Sequence, residues 1–115
     1  MDVFSEIKKI LMEILDLEGR EITPESYLMR DLGAESIDLL ELSAALNEIF
    51  KIEVREEDIF LKGTRSRLRT EEIPFLTEQR AGEIAADLEC APVVKVKDIV
   101  SYVTWQLLEM KRSLT

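Results

Sequence analysis

Apolar residues recur at three- and four-residue steps in well-separated stretches of this 115-residue chain, the period of a helix that buries one face. Val3, Phe4, Ile7, Ile10, Leu11, Ile14 and Leu15 make residues 2–16 an amphipathic helix, with Glu6, Lys9 and Glu13 on its polar side. A second helix is expected from about Ser36 to Phe50, directing Leu39, Leu42, Leu46, Ile49 and Phe50 to the core. A last helix over roughly 96–112 turns Val96, Ile99, Val100, Val103, Leu107 and Met110 inward. Asp98 near its start, and Lys111 and Arg112 near its end, suit the helix dipole. Only 4 glycines and 3 prolines interrupt the chain, so the pattern predicts an all-α fold.

The length fits one domain, and 46% hydrophobic residues supply a modest core. The formal charge of −9 excludes general binding of nucleic acid through its phosphates, which needs a basic surface. Basic protein partners are the natural counterpart. The charge is uneven: residues 1–61 hold 16 acidic and 6 basic side chains, residues 62–115 hold 8 and 9, so the acidic field belongs to the first half. No apolar run is long enough to span a bilayer, and Met1-Asp2 begins without the basic and apolar regions of a signal peptide. The expectation is a cytoplasmic protein that meets neither nucleic acid nor membrane. Cys90 alone allows no internal disulfide, and without histidine or clustered cysteines no metal site can be argued. Cys90 reads as a small buried residue, because no flanking cation or base would lower its pKa.

Between the first two helices, residues 17–35 form a long connection marked by Gly19, Thr23-Pro24 and Gly33. Ile22, Tyr27, Leu28 and Leu32 are placed to pin it on the core. It ends in Asp31-Leu32-Gly33-Ala34-Glu35-Ser36-Ile37-Asp38-Leu39-Leu40-Glu41-Leu42, where a glycine-containing loop turns into an acidic helix. A serine there can cap the helix, and a phosphate esterified to it would face free backbone N–H groups and the positive end of the dipole. The same serine is badly placed as a nucleophile of its own. That chemistry needs an adjacent general base, and the chain contains no histidine. Another protein has to activate it.

This string, with Leu46, Glu48 and Phe50, resembles the modification site of acyl carrier proteins, whose hallmark is Asp-Leu-Gly-Ala-Asp-Ser-Leu-Asp followed by an acidic helix ending in Glu-Phe. Glu35 stands where the family usually has Asp, and Ile37 where it usually has Leu. The resemblance covers roughly residues 1–60 and 94–112. It implies a four-helix acyl-carrier bundle and a non-catalytic carrier. It also implies 4′-phosphopantetheine on Ser36, delivered from coenzyme A by a phosphopantetheinyl transferase, with acyl groups held as thioesters on that arm for fatty acid, lipid or polyketide-like biosynthesis. Ile37, Leu40 and Ala44 form a second apolar stripe on the Ser36–Phe50 helix, interleaved with Asp38, Glu41 and Glu48. The resemblance makes this stripe, with Glu35, the docking surface of a monomer for acyl-transferring or acyl-modifying enzymes with basic surfaces. Read from the residues alone, Ile37 and Leu40 could pack on a neighbouring helix, and the carboxylates could form a solvated face. Two other functions stay open: an unmodified acidic helical adaptor that binds partners without a prosthetic group, and an enzyme using paired carboxylates.

Residues of about 61–94 exceed the family pattern and read as an insertion of a loop and a helix within the single domain 1–115. Lys62, Arg65, Arg67 and Arg69 suggest a solvated loop, or one that meets the acidic helix or an acidic partner. Thr77 to Glu89 has helical spacing at Ala81, Ile84, Ala85 and Leu88; Thr77 can cap it and Pro92 ends it. Glu56 to Leu61 competes with this segment as the counterpart of the family's short third helix. Tyr102 and Trp105 form an aromatic stripe on the last helix that needs cover, and the inserted helix is the expected cover.

Overall fold

The structure, a computed structural model, describes residues 2–16, 21–55, 59, 74–86 and 93–113. Four helices occur among them: α1 (Val3–Leu15), α2 (Ser36–Phe50), α3 (Glu78–Ala86) and α4 (Val96–Ser113). The described residues contain no strand. Tyr27 and Lys95 make a lone antiparallel bridge. The fold is the all-α bundle that the helical spacing predicted.

α1, α2 and α4 pack on one another around Ile7, Leu11, Leu28, Leu39, Leu42, Leu46, Ile99 and Val103, each at most 1% exposed. Burial of each such side chain contributes roughly 1.5–3 kcal/mol, which is what drives amphipathic helices of this length together. α1 and α2 both end at a left-handed residue, Asp16 (φ 51°) and Lys51 (φ 56°), that turns the chain back. Ile22, Leu28 and Leu32 are buried as the loop anchors they were expected to be, while Tyr27 stays half-buried.

Two expected core positions are on the surface. Ile49 and Met110 are each 40% exposed, because each lies at the edge of its stripe where the neighbouring helices no longer cover it. Tyr102 is covered, as its aromatic stripe was expected to be, and is only 1% exposed. Its ring sits edge-on to Phe75 at 5.0 Å, and Phe75 also lies 6.1 Å from Trp105. The Tyr102 hydroxyl accepts the Arg55 N–H at 3.2 Å and donates to the Glu53 carbonyl at 3.4 Å, fixing α4 to the chain that leaves α2.

Thr77 caps α3 as expected, its hydroxyl accepting the Arg80 N–H at 3.1 Å. Ile84 is buried, but Ala85 is exposed, and the aromatic cover comes from Phe75 just ahead of the helix. Ile59 is helical and fully buried. The rest of Glu56–Leu61, the basic residues Lys62, Arg65, Arg67 and Arg69, and Leu88, Cys90 and Pro92 lie outside the described residues. No helix among the described residues is long and apolar enough to cross a membrane.

Candidate functional site

Ser36 is the first residue of α2 and is exposed; the cap position belongs to Glu35, whose extended backbone (φ −104°, ψ 169°) precedes the helix. This corrects the expectation that Ser36 caps the helix. Asp38 does part of that work: its carboxylate accepts the Glu35 N–H at 2.8 Å, and the Asp38 and Leu39 N–H groups donate to the Glu35 carbonyl at 3.0 and 3.2 Å. The Ser36 side chain is therefore not needed to start its own helix. The first N–H groups of any helix lack intrahelical partners, and they carry the positive end of its dipole.

The approach to Ser36 is shaped by Tyr27 to Ala34. The Tyr27 carbonyl accepts the N–H groups of Asp31 and Leu32, its own N–H donates to Asp31, and the Ala34 N–H donates to the Leu28 carbonyl at 2.9 Å. Gly33 then turns at φ +73°, where a side chain would be strained, and even an added Cβ there would meet no atom within 4 Å. The space beside Gly33 is open, and Ser36 itself is exposed.

Ile37 is 62% exposed, Leu40 49%, and Ala44, Glu41 and Glu48 are exposed as well. Residues 37, 40, 41, 44 and 48 share one side of α2 at helical spacing, facing away from Leu39, Leu42 and Leu46. The exposure of Ile37 and Leu40 answers the question that spacing left open: neither is buried against a helix among the described residues. Asp38 is half-buried at the flank of this face. The described residues hold no group of histidine, cysteine, aspartate or glutamate suited to a metal ion.

Sequence reasoning missed a second charged cluster. Arg80 and Asp98 are 6% and 2% exposed, and the guanidinium meets the carboxylate through two bonds, Nε to Oδ1 at 2.8 Å and Nη2 to Oδ2 at 2.9 Å. Burial pulls the Arg80 pKa down, but the hydrogen bonds and charge of Asp98 outweigh it and leave it raised. On the outer side, Glu25 binds Lys97 at 2.9 Å and Lys95 at 3.0 Å, and these bonds, that to Lys97 the stronger, pull the Glu25 carboxyl down to about 2. Arg80 interrupts the apolar spacing of α3 toward the core; a cation in the same register as Ile84 was the available signal.

The site is thus an exposed serine at the start of an acidic helix in an all-α bundle. A family model described as the phosphopantetheine attachment site matches residues 5–68. An acyl carrier protein of Helicobacter hepaticus is 41% identical over 58 residues, which cover 50% of this chain and 76% of that protein. Those of Helicobacter pylori and Nitratidesulfovibrio vulgaris are 40% identical over 57 residues and 41% over 58, covering 73% and 76% of their lengths. The chain belongs to the acyl carrier protein family, whose members are non-catalytic carriers bearing 4′-phosphopantetheine. No solved structure matches. The family match ends before α3 and α4 begin, so the packing of α4 on α1 and α2 is what completes the bundle.

Proposed function

We propose that Ser36 carries the 4′-phosphopantetheine arm, and that Glu35, Ile37, Asp38, Leu40, Glu41, Ala44 and Glu48 form the surface that partner enzymes dock on. The observation that carries this reading is the exposure of Ser36, Ile37 and Leu40 together at the start of α2, inside the matched segment. A primary alcohol in open space, beside helix N–H groups and a glycine turn, suits a phosphodiester. The arm supplies a thiol on which acyl groups are held as thioesters. This chain's own part is to present: the Ser36 oxygen would form the phosphodiester as the pyrophosphate bond of coenzyme A breaks and its adenosine 3′,5′-bisphosphate portion leaves, while the transferase takes the hydroxyl proton. Glu41 and Glu48 steer basic partners, while Ile37 and Leu40 supply contact area once they arrive.

The proposal extends to a single-domain, cytoplasmic monomer in which residues of about 61–94 are an insertion. Its partners are a phosphopantetheinyl transferase and acyl-handling enzymes of fatty acid, lipid or polyketide-like synthesis. Incubation with a broad-specificity phosphopantetheinyl transferase and coenzyme A, read by intact mass, tests the site. The wild-type chain is expected to gain one phosphopantetheine group, and Ser36→Ala none, with helical circular dichroism unchanged. A gain that persists in Ser36→Ala, or maps to Ser43 or Ser101, rejects the assignment, and a wild-type chain that stays unconverted returns the adaptor reading.

A further inference from the structure

The loop that leads to Ser36 does not hang on the bundle core alone. Its residues 24–28 are stitched to the start of α4: the Leu28 N–H donates to the Val94 carbonyl at 3.1 Å, the Val96 N–H to Ser26 at 2.9 Å and the Lys97 N–H to Pro24 at 3.0 Å. Lys95 lies 4.9 Å from the Tyr27 ring centroid, and Glu25 closes the stitch through Lys95 and Lys97. Residues 93–98 are in turn gripped from the other side. Arg80 donates to both Asp98 oxygens and to the Val93 carbonyl at 2.6 Å, while Asp98 accepts the Lys95 N–H at 2.8 Å. Val94, Val96 and Asp98 are buried between these two sets of partners.

A run of hydrogen bonds, joined through adjacent residues of the chain, therefore leads from α3 to Ala34, close before the serine. Arg80 holds Val93 and Asp98; Val94 holds Leu28; Leu28 holds Ala34, two residues before Ser36. α3 has no other charged anchor of this kind: Arg80 and Asp98 are the buried charged residues among those described. A guanidinium fork with two acceptors on different residues fixes its partners in angle as well as distance, which a point charge on a flexible stem does not.

We propose that Arg80 is a positioning residue for the Ser36 loop, acting through residues 93–98. α3 thereby sets how the modification site is presented to the transferase while lying outside the segment matched by the family. The functional half of this inference rests on Ser36 being the attachment site; the structural half does not.

The test compares wild type, Arg80→Gln and Arg80→Lys as full-length chains. Amide hydrogen exchange in the unmodified protein reads the loop directly. Arg80→Gln is expected to speed exchange at Leu28 and Ala34 by about tenfold while the α1 amides change little, since local openings can loosen without the whole bundle unfolding. Arg80→Lys keeps the charge but loses the fork, and falls between. With a broad-specificity transferase and coenzyme A, the KM for the Arg80→Gln chain should rise about fivefold with kcat nearly unchanged, the mark of a mispresented but intact hydroxyl. Unchanged exchange at Leu28 and Ala34 with faster exchange in α3 alone overturns the proposal, as does an equal rise in every helix, which is a loss of global stability. If exchange responds as expected while no variant, wild type included, is modified, it is the assignment of Ser36 that has failed.

Discussion

α2 and α4 begin with the same local device and end in opposite circumstances. In each, an aspartate three residues past the cap position reaches back to the N–H that precedes the helix: Asp38 to Glu35 and Asp98 to Lys95, both at 2.8 Å. The first helical residues are then Ser36, exposed, and Val96, fully buried. Asp38 stays half-exposed, whereas Asp98 is sealed by Arg80. Capping makes a helix start. What covers that start decides whether it can meet another molecule.

Removing each aspartate sharpens the contrast. Asp98→Ala should cost about 3–5 kcal/mol, because it strands the buried Arg80 charge as well as the cap. Asp38→Ala should cost about 1 kcal/mol, the ordinary loss of a cap. Chemical denaturation measures both, and equal costs would show that the Arg80–Asp98 pair adds nothing to the α4 start. Phe75→Ala is next, with an expected loss of about 3 kcal/mol and a red shift of Trp105 emission, since the Phe75 ring covers both Tyr102 and Trp105. A loss below about 1 kcal/mol would mean that this cover is not needed.

On the open side, charge should govern encounter rather than stability. Glu41→Lys with Glu48→Lys should slow association with the transferase several-fold and flatten its salt dependence, because steering is screened over about 8 Å at physiological ionic strength. Asp38 is the wrong residue for this test, since it also holds the helix start. Wild-type and double-mutant salt slopes that coincide would reject steering by α2. The smallest effect belongs to Glu25. Its folded pKa of about 2 lies below the ordinary 4.5, so its stabilising contribution is complete above about pH 4.5 and is lost as pH falls through about 2. Wild type should therefore melt slightly above Glu25→Gln at pH 5.5 and level with it at pH 2. The effect is slight because Glu25 is exposed and screened. A difference that persists at pH 2 would locate the role of Glu25 in packing.

Much of this was legible in the sequence for a physical reason. Helix limits follow from spacing within a few residues, so α1, α2 and α4 fall close to the expected ranges, and Thr77 announces α3. The loop ahead of Ser36 was equally plain, as Gly33 and the apolar anchors are local signals. Ile49 and Met110 were misread because each sits at a stripe edge, where exposure depends on which neighbour happens to lie alongside. Spacing could not say that Phe75 would supply the neighbour for Tyr102.

The sequence by itself determined that the chain folds into helices, that its first half is acidic, and that a serine stands at a glycine turn beside an apolar and acidic helix face. Those are properties of adjacent residues, set by backbone preference, charge and periodicity. Only the tertiary structure decided that Ile37 and Leu40 remain in solvent, that Glu35 and not Ser36 occupies the cap, and that Arg80 meets Asp98 across 18 residues of chain. Each depends on what another part of the molecule covers or leaves open, and burial is a property of the assembled bundle rather than of any segment within it.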